Sequence, residues 1–144
     1  MPRYWLIVER YENWLVDSAE GFRHFGLSER RKAAIERIKA GDLLIVYVTG
    51  KSCFSDVRRV LMPTTVRLKL GGPYDAAFPY ALATEPVVTL KAENWLSVQS
   101  LAPKLGFLQF RDWRQAMRNS LREIPESDGR LLEKAIRSAA AHSN

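Results

Sequence analysis

Aromatic residues beside polar residues are the part of this sequence best suited to ligand chemistry. A nucleobase stacked on an aromatic side chain gains about 1–3 kcal/mol, and a neighbouring amide or hydroxyl group can hydrogen-bond to the edge of the base. Core packing is the alternative role for each ring. Three ring-and-polar pairs predict a slot for a flat ligand, and they are Trp14 with Asn13, Phe25 with Ser28, and Tyr47 with Thr49.

Arginines form a second candidate group. The formal net charge of +6 favours anionic partners, and nucleic acid is the commonest large anion. If residues 111–124 are helical, four arginines share a narrow sector that would follow phosphates without sequence selectivity. A solvated helix face is the alternative. The four are Arg111, Arg114, Arg118 and Arg122, and Arg30 and Arg31 would hold the backbone beside the rings.

Metal, cofactor and common catalytic motifs are missing from the sequence. One cysteine, Cys53, and two histidines, His24 and His142, do not have the spacing of a zinc site, which needs about four ligands. The sequence "TGKS" at 49–52 lacks the lead-in of a phosphate-binding loop. We therefore expect no metal, no cofactor and no enzymatic activity. A lysine-assisted hydrolysis around Thr49 and Lys51 is an alternative to a simple hairpin turn there.

Apolar runs predict the strands that position these residues. "YWLIV" at 4–8 and "LLIVYV" at 43–48 lack alternation, which is typical of strands covered on both faces. "FSDVRRVLM" at 54–62 predicts a strand with one wet side. Residues 78–90 predict a further strand, interrupted or at an edge because it contains two prolines.

Helical spacing predicts the remaining elements. Residues 12–18 fit a short helix with Trp14 and Leu15 inward. Residues 28–41 fit a longer helix, capped by Ser28 and ended at Gly41. Residues 111–124 and 125–141 fit two amphipathic helices. The strands are not separated by regular crossovers, so the order of elements favours an α+β fold with a small curled sheet flanked by helices.

Length and composition favour a globular protein. The 144 residues suit one domain, and 47% of them are hydrophobic. The longest apolar run has six residues, at 43–48, well short of the ~18 that a membrane span needs. We therefore expect no membrane partner and a cytoplasmic location.

Four segments resemble an EVE-domain protein of the PUA-like superfamily, which is related to the YTH and ASCH domains. They are "YWLIVERYENW", "FGLSERRKAAIERIKAGDLLIVYV", "FPYALATEPVV" and "REIPESDGRLLEKAI". The resemblance spans residues 1–144 as one EVE domain. It implies a PUA-like pseudo-barrel of mixed strands flanked by helices.

The resemblance also implies a function and a pocket. EVE domains are thought to be readers of modified bases in nucleic acid, either DNA or RNA, that hold the flipped base in an aromatic pocket. Family members often have Trp where this chain has Phe25, and the smaller ring offers less stacking area. The pocket residues carried over from the family are Asn13, Trp14, Phe25, Gly26, Leu27, Ser28, Tyr47, Val48 and Thr49, with Phe78, Pro79 and Tyr80 at the rim.

Two alternatives remain open at this stage. ASCH-type relatives include amidohydrolases of modified nucleosides that use Thr, Lys and Glu, and Thr49, Lys51 and Glu29 are of those types. A general RNA-binding accessory domain that recognises shape is the other alternative.

Overall fold

A seven-stranded mixed sheet forms the centre of the protein. The computed structural model describes residues 2–62, 80–109, 112–117 and 121–142. The strands are β1 (Tyr4–Arg10), β2 (His24–Leu27), β3 (Leu43–Thr49), β4 (Cys53–Met62), β5 (Tyr80–Thr89), β6 (Leu96–Ser97) and β7 (Leu121–Ile124). Their order is β2-β5-β4-β3-β1-β7, and β6 pairs with β4.

Among the described residues, five helices and several short 3₁₀ turns surround the sheet. The helices are α1 (Tyr11–Ala19), α2 (Lys32–Ile35), α3 (Val98–Leu101), α4 (Trp113–Ala116) and α5 (Glu126–Ala141). The 3₁₀ turns are Glu29–Arg31, Ala92–Asn94, Ala102–Lys104 and Gly106–Leu108. Within the described ranges, no helix has the length and apolar character that crossing a bilayer requires.

Strands β1 and β3 run parallel, and the other pairs among the described strands are antiparallel. Their register places Arg10 beside Thr49, so both strands end at the same edge. Register shifts in the β3–β4 and β4–β5 pairs bend the sheet. This curled sheet with flanking helices confirms the predicted α+β, PUA-like fold.

Alternation along the central strands divides the core into two faces. Successive side chains of a strand point to opposite faces, so Trp5 and Ile7 face α1 while Tyr4 and Leu6 face α5. We call these the α1 face and the α5 face. Both faces are covered, which is why "YWLIV" and "LLIVYV" are continuously apolar.

The helix predicted for residues 28–41 is much shorter in the structure. Leu27 lies in β2 and pairs with Tyr80 of β5, which draws the start of the segment into the sheet. Only a 3₁₀ turn and the four-residue α2 follow. Ser28 does not cap α2, because residue 31 holds the N-cap position and no side chain bonds there. The turn before β3 is instead held by Asp42, which accepts hydrogen bonds from Lys39 N and Trp5 Nε1.

The helix predicted for residues 111–124 is also wrong in its second half. Residues Leu121–Ile124 form β7, which pairs with β1, so strand pairing overrides the helical spacing. The arginine stripe is therefore not one helix face. Arg114 lies on α4, whereas Arg122 lies on β7 with its guanidinium 5.3 Å from the Phe107 ring. Arg111 and Arg118 lie outside the described residues.

Two smaller predictions about which side chains are buried differ from the structure. Leu15 was expected inward but is 47% exposed, because α1 turns its Trp14 side toward the sheet. Strand β4 was expected to have a wet side, yet Asp56 and Arg58 are both fully buried there. Pro86 lies beyond Tyr80–Ala83, the part of β5 that β2 pairs, so it occupies an edge position as predicted.

Helix α5 contacts β1 at very short range through a glycine. A Cβ atom added at Gly129 would overlap with the ring of Tyr4. The Tyr4 hydroxyl donates a 2.6 Å hydrogen bond to Glu133 on the next turn of α5. Burial of the hydroxyl group is the main reason why the pKa of Tyr4 rises to about 12, and the hydrogen bond to Glu133 is the second. Close approach at Gly129 therefore fixes how α5 packs on the sheet.

We expect Gly129→Ala to lower the free energy of unfolding by about 1–3 kcal/mol, since overpacking forces neighbouring groups to move. Urea titration followed by circular dichroism measures the change. Ser127→Ala on the exposed side of the same helix is the control and is expected to be near neutral. An unchanged stability in Gly129→Ala would contradict the close contact.

Candidate functional site

Trp14 lies at the centre of an aromatic cluster between α1 and the sheet. Its ring is 6.4 Å from Tyr11 in a stacked arrangement, 5.4 Å from Phe22 and 4.9 Å from Trp95. Lys51 Nζ lies 4.8 Å from the centre of the Tyr11 ring. Tyr11 and Trp95 are half-buried, so they form the outer side of the cluster. From the sequence, neither Tyr11 nor Trp95 was singled out as a site residue, because neither forms one of the ring-and-polar pairs on which the prediction relied.

A buried group of charges lies beneath these rings. We call it the Arg58 cluster. The Arg58 guanidinium has no exposure and donates to three carboxylates, at 2.7 Å to Asp56, 3.0 Å to Asp17 and 3.0 Å to Glu9. Asp56 also accepts a 3.0 Å hydrogen bond from Trp14 Nε1. The cluster therefore joins β1, α1 and β4 and fixes the indole of Trp14.

The charge balance of this cluster shifts two pKa values. Burial would lower the pKa of Arg58, but the three carboxylates, Asp56 foremost, raise it more, so the guanidinium stays charged. Burial raises the pKa of Glu9 well above its ordinary value, and the neighbouring Asp17 adds to the rise while Arg58 opposes it. Glu9 therefore takes up a proton more readily in the folded protein than an exposed glutamate does.

The three predicted rings do not form one open slot. Trp14, Phe25 and Tyr47 are 9%, 4% and 2% exposed. Trp14 and Phe25 belong to the α1 face, whereas Tyr47 lies on the α5 face, 5.5 Å from Phe54. Strand alternation explains the separation, and the Trp14–Asp56 hydrogen bond explains why the indole is turned inward. The prediction of a sandwich by these three rings is therefore wrong.

The remaining predicted pocket residues lie on or directly beside α1, β2, β3 and β5. Leu27 and Val48 are buried in the α1 face beside Phe25, and Gly26 is buried in β2. Asn13 and Ser28, which adjoin the buried Trp14 and Leu27 along the chain, are half-buried, and the half-buried Tyr80 packs against this face. We call the group of Asn13, Trp14, Phe25, Ser28 and Tyr80 the α1–β2 surface. Phe78 and Pro79 lie outside the described residues.

Polar groups on this surface are available to a ligand. The side chains of Asn13 and Ser28 have no hydrogen-bond partner among the described residues. Arg30 and Arg31 follow Ser28 directly in the Glu29–Arg31 turn, and Arg30 is exposed. The turn thus keeps two arginines close along the chain to the Ser28 hydroxyl group, and their role in holding a nucleic-acid backbone stays a prediction.

A separate cavity of about 400 Å³ opens on the α5 face at the ends of β1 and β3. Arg10 comes from the end of β1, Thr49 from the end of β3, and Ser52 from the turn that follows. Helix α4 contributes Trp113 and Arg114. Tyr47 and Thr49, predicted for the base pocket, and Arg114, predicted for phosphate binding, therefore lie together here and apart from Phe25 and Ser28.

Two residues of the alternative hydrolase hypothesis, Thr49 and Lys51, have different surroundings in the structure. Lys51 extends over the Tyr11 ring, while Thr49 lines the cavity on the α5 face. The side chain of Glu29 lies outside the described part of the structure. Across the described ranges, no group of His, Cys, Asp and Glu is arranged to hold a metal ion.

Comparisons with known proteins agree with this fold. No family model matches the sequence. A UPF0310 protein of Pyrococcus abyssi is 26% identical, over 92% of this chain and 99% of that protein. The YTH domain of Toxoplasma CPSF4, in complex with a 7-mer m6A-modified RNA, superposes with a TM-score of 0.71 at 14% identity, over 95% of this chain and 91% of that one. The NMR structure of Rpa0253 from Rhodopseudomonas palustris superposes with a TM-score of 0.65 at 12% identity, and the match covers 99% of this chain and 98% of that one.

These similarities establish a YTH-like, PUA-like fold for almost the whole described chain. At such low identity they carry no residue roles across. Membership of the EVE family stays a prediction from the sequence motifs.

Replacing Arg58 should strongly destabilise the protein. Arg58→Met leaves three carboxylates buried without their cation, and breaking a buried ion network of this kind costs about 3–5 kcal/mol. Urea titration measures the loss. Arg59→Met is the matched control, because the neighbouring Arg59 pairs with Glu85 at the surface, where such pairs contribute about 0–1 kcal/mol. Equal effects of the two substitutions would contradict the proposed importance of the cluster.

Glu9 should make stability decrease as pH rises. Its folded pKa lies above the ordinary 4.5, so the folded state binds this proton more tightly than the unfolded state. The resulting stabilisation is complete below pH 4.5 and is lost as pH rises through the folded pKa. Glu9→Gln mimics the protonated acid and removes this dependence.

Urea titrations of wild type and Glu9→Gln between neutral and mildly acidic pH test this expectation. As pH rises, the free energy of unfolding of the wild type should fall relative to that of Glu9→Gln. A difference that is constant over the range would contradict a raised pKa.

Proposed function

We propose that this protein is a non-enzymatic module that binds nucleic acid and recognises a modified base at the α1–β2 surface. The observation that carries the proposal is the likeness to a YTH domain in complex with m6A-modified RNA, with a TM-score of 0.71 over 95% of this chain. The net charge of +6 supports an anionic partner.

Recognition at this surface would depend more on hydrogen bonds to the edge of the base than on stacking of the base between two aromatic rings. Trp14 and Phe25 supply an aromatic wall that is already packed, while Asn13 and Ser28 carry unpaired polar groups at its border. Tyr80, half-buried and beside Leu27 in the β2–β5 pair, adds a ring at the same border. A modified base leaving the stack costs a few kcal/mol, which these contacts must recover.

Flanking phosphates would be held by the turn after Ser28. Arg30 and Arg31 occupy consecutive positions in that turn. Such contacts position a strand without reading its sequence and weaken as salt concentration rises. The shape-recognising alternative relied on four arginines along one helix, and the split between α4 and β7 weakens that basis.

Titration of labelled oligonucleotides tests the proposal. Matched single-stranded RNA and DNA probes carry one central base, either unmodified or methylated, and fluorescence anisotropy gives the dissociation constants. We expect tighter binding of at least one modified probe. Asn13→Ala and Ser28→Ala should each reduce that preference by about three- to tenfold, because a net hydrogen bond contributes about 0.5–1.5 kcal/mol.

Ser127→Ala, at an exposed position of α5, serves as the control and should leave both affinities unchanged. Equal binding of every modified and unmodified pair by the wild-type protein would refute recognition of a modified base. Binding that depends on salt but not on modification would favour the general RNA-binding alternative.

A further inference from the structure

We propose that the cavity at the ends of β1 and β3 is a second site, which binds a nucleoside monophosphate unit, either free or within a single strand. The cavity measures about 400 Å³, within the ~300–1,000 Å³ range of small-molecule sites. It lies on the α5 face, whereas the α1–β2 surface lies across the sheet. This site does not depend on recognition of a modified base.

The polar side chains of the cavity select for an anion. Arg10 and Arg114 supply two exposed guanidinium groups, and none of the described residues that line the cavity is acidic. Arg10 has no ion-pair partner among the described residues. Asp112 approaches Arg114 only at 3.8 Å between two exposed side chains, a separation at which surface pairs contribute little. Planar guanidinium groups are well suited to bidentate phosphate binding.

Hydroxyl groups also line the same cavity. Thr49 and Ser52 line it together with the buried Tyr47 ring. Ser52 adopts a φ of 55°, a left-handed conformation that is uncommon for a serine, in the tight turn after Gly50. This turn directs Ser52 toward the cavity, and hydroxyl groups there can hydrogen-bond the phosphate or the ribose.

Trp113 adds an aromatic platform at the rim. It is half-buried, and the Arg114 guanidinium lies 4.7 Å from its ring centre. An indole ring and a guanidinium plane both accept a stacked base. The combination of two cations, hydroxyl groups and an indole therefore fits phosphate, sugar and base together, which is the composition of one nucleotide.

Two pairs of adjacent residues connect this cavity to the other face. Arg10 lines the cavity while the next residue, Tyr11, stacks on Trp14. In the same way Ser52 lines the cavity while Lys51 extends over Tyr11. Since consecutive Cα atoms are about 3.8 Å apart, a strand crossing the ends of β1 and β3 would reach both surfaces.

NMR titration of the ¹⁵N-labelled full chain tests the site directly. The indole N–H signal of Trp113, assigned with Trp113→Phe, and the amide of Ser52 report on the cavity. Adenosine monophosphate, adenosine, inorganic phosphate and a short single-stranded oligonucleotide are the probes. We expect the monophosphate to shift both signals and to bind at least about fivefold more tightly than adenosine or phosphate alone.

Charge-removing variants provide the second arm. Arg10→Gln and Arg114→Gln should each weaken binding of the monophosphate by about fivefold or more, and Arg10→Lys should restore part of the loss. Arg130→Gln on α5 is the matched control, because Arg130 is an exposed arginine paired with Glu126 away from the cavity. Folding of each variant is checked from its unchanged NMR spectrum outside the cavity.

The probes separate the two sources of the ligand. Shifts from the oligonucleotide alone would assign the site to a strand, and shifts from the monophosphate as well would show that a free nucleotide suffices. No shift from either probe, equal binding of adenosine and its monophosphate, or unchanged binding in both Gln variants would overturn the proposal. The preference for a modified base is the ratio of the affinities for the modified and the unmodified oligonucleotide. Arg10→Gln should leave this ratio unchanged, so the outcome here is independent of the outcome of the oligonucleotide titration proposed above.

Discussion

The buried guanidinium of Arg58 is the interaction on which the rest of the structure depends. It is bonded to carboxylates from β1, α1 and its own strand, all removed from water. Buried charges are costly unless each is paired, so separating any of these elements from the cluster would leave a buried charge without its partner. Because Asp56 also holds the indole of Trp14, the same constraint docks α1 on the sheet.

Docking of α1 determines which surfaces can contact a ligand. With Trp14 turned inward, the partly accessible groups around it include the rings of Tyr11 and Trp95 and the polar residues Asn13 and Ser28. On the opposite face, the end of β1 and the turn after β3 leave a cavity between the sheet and α4. The parallel pair β1–β3 serves both surfaces, since its two strands end together at one edge of the sheet.

A strained turn keeps the aromatic cluster and the charges in contact. Phe22 has a φ of 56°, follows Gly21 in the same left-handed conformation, and packs against both the Trp14 ring and the Arg58 guanidinium. A non-glycine residue in this region costs about 1–3 kcal/mol. Its carbonyl oxygen accepts a 2.6 Å hydrogen bond from Thr84, which ties the turn to β5. Packing and hydrogen bonding together offset the strain.

The sequence by itself determined the long apolar strands, the final helix and the α+β class, because their patterns are local and strong. It grouped Trp14 and Phe25, which do share the α1 face, but it was wrong to add Tyr47. Successive residues of a strand point to opposite faces, so Tyr47 points away from the face that its neighbours Val46 and Val48 share. Tertiary structure alone decided that residues 121–124 pair with β1 as a strand and that Leu27 joins β5. It also decided that Arg58, typical in sequence of a wet strand face, is buried, because its three carboxylates are 2, 41 and 49 positions away along the chain.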